Sequence, residues 1–267
     1  MTQVSPTLIF KHINNSTLLQ HAYKYLEENE EVQELLKLSN IFAVSRLKYN
    51  DHGPVHAKIV AGTALELFDK LVNRGVEPTT LRDRTCENLD EAKLVILLAS
   101  YLHDIGNAVH RDRHELIGML LAKDILDKLL PKILHNKRSM YSIRQEVLHA
   151  IYATEYNVQC LTVEAGVVKI ADGLDMSEGR ARIPYKLGKT DIHAVSALSI
   201  KRVEIDYGNE RPVKIMIYME DMAGIFQVEK VLMPKIATSG LEDYIEVYVY
   251  SRGREIQTYP EKQLRQV

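Results

Sequence analysis

The sequence predicts a mainly α-helical protein that ends in a small α/β domain. Over roughly the first two thirds of the 267 residues, apolar side chains recur every three or four positions, as on the buried face of a helix. After about Lys189 the pattern changes, because two segments alternate apolar and polar residues around the turn GNERP. We therefore predict a helical domain over residues 1–188 and a small domain over residues 189–267.

The helices of the first domain have recognisable ends. Ser16 is an N-cap residue, Pro54 lies near the first turn of a helix, and Gly75 closes that helix. Residues 76–90 are polar and predict a loop, and Pro131 is expected to stop a helix. On these grounds the predicted helices cover residues 16–29, 30–47, 55–75, 91–104, 113–130, 141–157 and 163–176.

The small domain is expected to follow the order strand, strand, helix, strand. Residues 197–207 and 213–220 form the predicted hairpin, and residues 244–252 show strict alternation again. Residues 222–240 predict a helical segment, with Pro234 as the expected site of a kink. Because the hairpin and the last strand expose edges, we expect a homodimer through this domain.

The composition is that of an ordinary globular protein and argues against several classes. A formal net charge of −2 gives no field that would attract nucleic acid or an anionic membrane. The most apolar run, nine residues from Leu94, is too short to span a bilayer, and the first residues lack the features of a signal peptide. Cys86 and Cys160 lie outside any C-x-x-C pattern, so a reducing, cytoplasmic location without membrane contact is expected.

Histidine and aspartate are concentrated at a few points of the helical part. His103 and Asp104 are adjacent at the end of an apolar helix, where two neighbours can reach one cation. His52 and His56 flank the start of an earlier helix, and His52 is explained equally well as a loop residue. Asp172 interrupts an apolar stretch, where a carboxylate is costly to bury unless it is paired or bound to a metal. Together these residues are candidates for a metal site.

The order of His56, the pair His103 and Asp104, and Asp172 resembles that of the HD-domain metal-dependent phosphohydrolases. The resemblance covers about residues 40–185 and extends to an uncharacterised microbial branch of that superfamily. It implies an HD-domain helical bundle, one divalent metal ion held by these four residues, and hydrolysis of a small phosphate ester or anhydride, with nucleotides among the candidate substrates. Two imidazoles and two carboxylates suit Mn, Fe, Co, Ni or Zn, and Mg less well.

The acid–base chemistry departs from the family pattern. Asn107 stands three residues after Asp104, where relatives that act on nucleotides often carry a residue able to transfer a proton. An amide cannot transfer a proton in this way. We therefore expect Asp104 and His110 to act as the catalytic residues, with a surface-loop role as the alternative for His110.

A second metal ion has an incomplete set of candidate ligands. His114 resembles a further ligand of two-metal relatives, but Thr154 stands where those relatives supply a histidine from the next helix. His149 lies five residues earlier and is the other candidate. We therefore predict one tightly held metal ion per chain, with any second site weak.

The substrate side of the site is predicted from two arginines. Arg180 and Arg182 follow the last predicted metal ligand and are candidates to bind phosphate oxygens, with solvated loop charges as the alternative. Two alternatives to a phosphohydrolase stay open. One is a non-catalytic regulatory module that binds a metal and a nucleotide, which Asn107 favours. The other is an HD-type di-iron oxygenase, which would need the second metal ion.

Overall fold

The computed structural model describes residues 1–177 and 192–261, and it confirms a mainly helical fold with a small C-terminal sheet. Arg180, Arg182 and the predicted boundary at residue 188 lie outside the described residues. Within those two ranges, no helix combines the length and apolar character that a membrane crossing requires. The α-helices of the helical part are α1 (Leu8–Ile13), α2 (Thr17–Glu28), α3 (Glu30–Asn40), α4 (Pro54–Asn73), α5 (Thr79–Arg82), α6 (Leu89–Leu102), α7 (His114–Ile133), α8 (Lys137–Tyr152), α9 (Val163–Leu174) and α10 (Ile192–Ser199). A π-helix (Ile41–Arg46) continues α3.

The sheet has the strand order β1-β2-β3-β4-β5. β3 and β4 pair in parallel, whereas the other neighbours pair antiparallel. Consecutive short helical turns over residues 222–237, called here the 222–237 segment, connect β3 to β4, so the predicted order strand, strand, helix, strand is present. The sequence did not predict β1, which is very short, or β5, which is polar and largely exposed. The strands are β1 (Thr2–Gln3), β2 (Ile200–Tyr207), β3 (Val213–Met219), β4 (Ile245–Ser251) and β5 (Arg254–Tyr259).

Several helix boundaries differ from those predicted. α7 runs past Pro131, the predicted stop, because the amide of Leu134 still donates to the carbonyl of Leu130 and closes the last turn. α8 begins earlier than predicted, because the side chain of Asn136 accepts a hydrogen bond in its first turn. It also ends earlier, so Thr154 lies in the turn after the helix. α5 occupies part of the segment that was predicted as a loop.

α4 is the centre of the helical part. It packs against α1, α6 and α9, and it also contacts β2 and β3. Because most of its surface is covered, the buried positions of α4 include His56 and Glu66 besides apolar residues. The 222–237 segment packs on α9, where Lys235 lies against Gly173. The C-terminal part of the chain thereby lies beside the helix that carries Asp172.

A glycine contact fixes the turn between α6 and α7. A Cβ atom on Gly106 would lie 2.0 Å from the carbonyl oxygen of His114 and 2.6 Å from the backbone nitrogen of Gly118. Both neighbours are backbone atoms of α7, so a larger residue would force the helix away. The glycine therefore lets the first turn of α7 approach the end of α6, and this approach places His114 close to Asp104.

A buried charge cluster attaches α1 to α4. Nε2 of His12 lies 3.0 Å from Glu66, and Nδ1 lies 3.0 Å from Asp69. Burial alone would lower the pKa of His12, but its contacts with the two carboxylates raise it above the ordinary value. Burial would raise the pKa of Glu66, but His12, Lys11 and Thr2 hold it well below its usual range. Both groups are therefore charged together in mildly acidic solution.

The raised pKa of His12 predicts a loss of stability at alkaline pH. The protonated imidazole stabilises the fold fully below its unfolded pKa of about 6.5, and this contribution is lost as pH rises through the raised folded pKa. We expect His12→Gln to lower the free energy of unfolding by about 1.5–3 kcal/mol at pH 6, the scale of hydrogen bonds to charged groups, and by less at pH 9. Urea unfolding at both pH values measures this, with exposed His21→Gln as the control. Equal losses at both pH values would contradict the assignment.

Candidate metal centre

Four side chains from three helices meet in the interior of the helical part. Nε2 of His56, in the first turn of α4, lies 3.2 Å from Nε2 of His103, at the end of α6. The same His56 atom lies 3.3 Å from Oδ2 of Asp104 and 3.3 Å from Oδ1 of Asp172 on α9. Nε2 of His103 lies 3.4 Å and 3.7 Å from these two oxygens. The four ligands implied by the sequence resemblance are therefore brought together.

The spacing of these atoms fits one divalent cation. Ligands bound to the same ion at about 2.0–2.2 Å are roughly 3.0–3.6 Å apart. The measured separations run from 3.2 to 3.7 Å. Two imidazole nitrogens and two carboxylate oxygens suit Mn, Fe, Co, Ni and Zn alike. The residues present therefore fit the divalent metal that the sequence resemblance implies.

The histidine rings are oriented by contacts on their far sides. Nδ1 of His103 donates to the carbonyl oxygen of Ser100, 2.8 Å away in the last turn of α6. Nδ1 of His56 lies 2.6 Å from Oδ2 of Asp175, just after α9. In each ring the proton is held at Nδ1, so the lone pair of Nε2 points into the cluster. Carboxylate or carbonyl partners of this kind fix the tautomer and orientation of metal-binding histidines.

The two carboxylates of the cluster remain ionised, although Asp104 is buried and Asp172 is half-buried. Burial would raise the pKa of Asp104, but His52 and His103 hold it well below its usual range. Burial would also raise the pKa of Asp172, but Lys235 and the cluster histidines lower it. The Nζ atom of Lys235 lies 2.5 Å from Oδ2 of Asp172. Both groups are therefore in the form that binds a cation.

His52 and Lys235 also contact the cluster, although neither is among the four ligands that the sequence resemblance implies. Nδ1 of His52 lies 2.6 Å from Oδ2 of Asp104, and the ring is buried. The sequence left His52 open between a loop residue and a site residue, and its spacing of four from His56 was the signal for the site. Lys235 lies in another part of the chain, with no motif that would connect it to Asp172. Asp175 was missed in the same way.

Asp104 and Asp172 of the cluster line a cavity of about 490 Å³. Arg111 stands on one side of it, and Lys230 and Lys235 of the 222–237 segment stand on another. The hydroxyl of Tyr156 donates to the carbonyl oxygens of Lys230 and Val231, 2.5 and 2.8 Å away, which attaches the segment to the turn after α8. The wall therefore combines carboxylates, imidazoles and cations. Its other members include Tyr49, Asn50, Glu115, Thr154, Met176 and Gln227.

The predicted second-metal residues divide into two groups. His114 lies close to the first cluster, with Nε2 3.4 Å from Oδ1 of Asp104. Burial lowers the pKa of His114, but Asp104 and Glu115 raise it overall, and Arg111 opposes this rise. Thr154 lines the cavity, but its hydroxyl donates to the carbonyl oxygen of Ile151.

His110 and His149 lie apart from the residues that line the described cavity. His110 is exposed, and its Nδ1 accepts a hydrogen bond from the backbone amide of Asp112. Nε2 of His149 accepts from the backbone amide of Leu161, and burial lowers the pKa of this histidine. In the ranges that the structure covers, neither is placed with Asp104, so their predicted roles receive no support from the geometry.

The contact between Asp175 and His56 predicts a measurable effect on metal affinity. Asp175→Ala removes the carboxylate that orients the ring without removing a ligand, so we expect the affinity for Mn²⁺ to fall about 10–100-fold. Titration of metal-stripped protein measures this change. Asp112→Ala, which removes an exposed carboxylate, is the matched control. Unchanged affinity in Asp175→Ala would show that His56 does not need this partner.

Comparison with known proteins agrees with this geometry. The HD domain family matches residues 55–177, a range that contains all four residues of the cluster. The chain is 48% identical over 227 residues to the uncharacterized protein MJ1020 of Methanocaldococcus jannaschii, an alignment that covers 85% of this chain and 86% of that relative. No solved structure matches the chain. With a family match that contains the whole cluster of histidines and aspartates, the chain belongs to the HD-domain superfamily.

Proposed function

We propose that this protein is a metal-dependent phosphohydrolase that cleaves a small phosphate ester or anhydride, with nucleotides as the first candidates. The observation that carries the proposal is one cavity lined both by Asp104 and Asp172 of the cluster and by three basic side chains, Arg111, Lys230 and Lys235. Phosphoryl oxygens bind well to a divalent ion and to arginine or lysine. A site that offers both within one cavity is suited to a phosphorylated ligand.

In this proposal the chain's own residues supply the frame for hydrolysis. His56, His103, Asp104 and Asp172 would hold the cation, which when bound polarises a phosphoryl oxygen and makes water more acidic. Lys235 holds Oδ2 of Asp172, so that Oδ1 faces the two imidazoles. The charges of Lys235 and Arg111 would oppose the negative charge of the bound phosphoryl group.

Proton transfer is better placed on residues of the cavity wall than on His110. His52 and His114 both line the cavity and both lie close to Asp104, whereas His110 is exposed beyond it. Imidazoles can hold or release a proton near neutral pH. We propose His52 as the first candidate, because its contact of 2.6 Å with Asp104 is the shorter one.

A non-catalytic module that binds a metal and a nucleotide is the second candidate. Asn107 favours it, because the side-chain amide donates to Oδ1 of Asp104 at 3.0 Å and has no proton to transfer in catalysis. Such a module would bind the same ligands in the same cavity. It differs from the hydrolase only in leaving them uncleaved.

Phosphate release from a panel of nucleotides and simple phosphate esters tests the proposal. Metal-stripped protein is reconstituted separately with Mn²⁺, Co²⁺, Ni²⁺, Zn²⁺ and Mg²⁺. We expect turnover that depends on metal, and we expect His103→Ala to abolish both turnover and tight metal binding, because it deletes a ligand. Exposed His21→Ala is the control. Tight binding of a nucleotide without release of phosphate under any metal would favour the non-catalytic module.

Lys235 provides a test of the contribution from the C-terminal part. We expect Lys235→Met to lower kcat/KM by about 10–100-fold, or about 1.5–3 kcal/mol, the scale of a hydrogen bond to a charged group. Lys235→Arg should restore part of the loss, because it keeps the charge near Asp172. Exposed Lys24→Met is the control for loss of a lysine elsewhere. Full activity in folded Lys235→Met would remove this residue from the proposed site.

A further inference from the structure

A second metal ion in this site would need His114 and the second oxygen of Asp104. Nε2 of His114 and Oδ1 of Asp104 are 3.4 Å apart, on the side of Asp104 that faces away from the first cluster. The other oxygen, Oδ2, already faces His52, His56 and His103. A bridging role for Asp104 therefore requires that both Oδ1 and Nε2 of His114 be open to a cation.

The guanidinium of Arg111 lies against the imidazole of His114, which a second ion would need as a ligand. Its NH1 atom lies 3.0 Å from Nε2 of His114. Nδ1 of His114 lies 3.1 Å from the carbonyl oxygen of Arg111 and 3.0 Å from Oε2 of Glu115, both of which are acceptors. The proton therefore belongs on Nδ1, and the lone pair of Nε2 accepts from Arg111.

The side-chain amide of Asn107 lies against Oδ1 of Asp104, the other atom that a second ion would need. Nδ2 of Asn107 donates to Oδ1 of Asp104 at 3.0 Å and to the backbone oxygen of Asp104 at 3.0 Å. Oδ1 of Asn107 accepts from NH1 of Arg111 at 3.2 Å. Hydrogen bonds thus connect Arg111 to Asn107 and Asn107 to Asp104. Both atoms that a second ion would need already have donors.

We propose that Arg111 takes the place of the second metal ion, so that this protein binds one metal and supplies the second positive charge itself. Arginine is suited to this role, because its guanidinium remains charged at all relevant pH values and its planar fork matches phosphate oxygens. Arg111 lines the cavity beside the cluster, and its guanidinium carbon lies 5.8 Å from the centre of the Tyr49 ring. Its action on a phosphoryl group rests on the proposed function, whereas its effect on the number of metals does not.

The number of tightly bound Mn²⁺ ions tests the replacement directly. We expect one equivalent per chain in the wild-type protein. We expect one in Asn107→Ala, where Arg111 still covers Nε2 of His114. We expect two in the double variant Asn107→Ala, Arg111→Leu, because Oδ1 of Asp104 and Nε2 of His114 are then both released. Adding His114→Ala to this double variant should return the count to one. Exposed Arg113→Leu, in the same turn, should stay at one. Two equivalents in the wild type or in Asn107→Ala, or one in the folded double variant Asn107→Ala, Arg111→Leu, would overturn the proposal.

Binding of inorganic phosphate to the protein with one Mn²⁺ bound tests the charge role separately. We expect Arg111→Leu to bind phosphate at least tenfold more weakly than the wild type and Arg113→Leu at this metal loading. Equal phosphate affinity would overturn that role of Arg111. If the metal counts change as expected and no phosphate ester is hydrolysed, the proposed function fails while the replacement of the second metal stands.

Discussion

Asp104 and Asp172 place two negative charges in a largely apolar interior, where an ionised carboxylate is unfavourable without compensation. Compensation comes from the imidazoles, the lysine and the amide that surround their oxygens. This requirement determines which residues stand around the pair. It also explains why the described site holds cationic side chains from regions far apart in sequence.

In each of the two carboxylates, the two oxygens contact different partners. In Asp172, one oxygen faces the imidazoles and the other receives Lys235. In Asp104, one oxygen faces the imidazoles and the other receives the amide of Asn107. Each carboxylate thus presents one oxygen toward the centre and keeps the other satisfied by the chain. This division favours a single central cation with a positively charged border, which is an arrangement suited to anionic ligands.

The sequence predicted the helices from local apolar periodicity. It predicted the central ligands from the resemblance of His56, His103, Asp104 and Asp172 to the HD-domain pattern. By contrast, Lys235 reaches the site through packing of the 222–237 segment on α9, and no spacing in the sequence encodes that contact. Arg111 lies close to the motif in sequence, but its role depends on which way its side chain turns. β1 was missed for a related reason, since so short a strand carries no periodicity.

The ion pair of Asp172 and Lys235 joins positions 63 residues apart and so orders events during synthesis of the chain. α9 leaves the ribosome well before the 222–237 segment, at rates of about 5–20 residues per second. During that interval the carboxylate of Asp172 lacks its lysine, and water is its natural partner. We therefore expect the end of α9 to stay hydrated until the C-terminal part has been synthesised. The contact that covers this carboxylate can form only after the C-terminal part has been made, and it couples the helical bundle to the sheet.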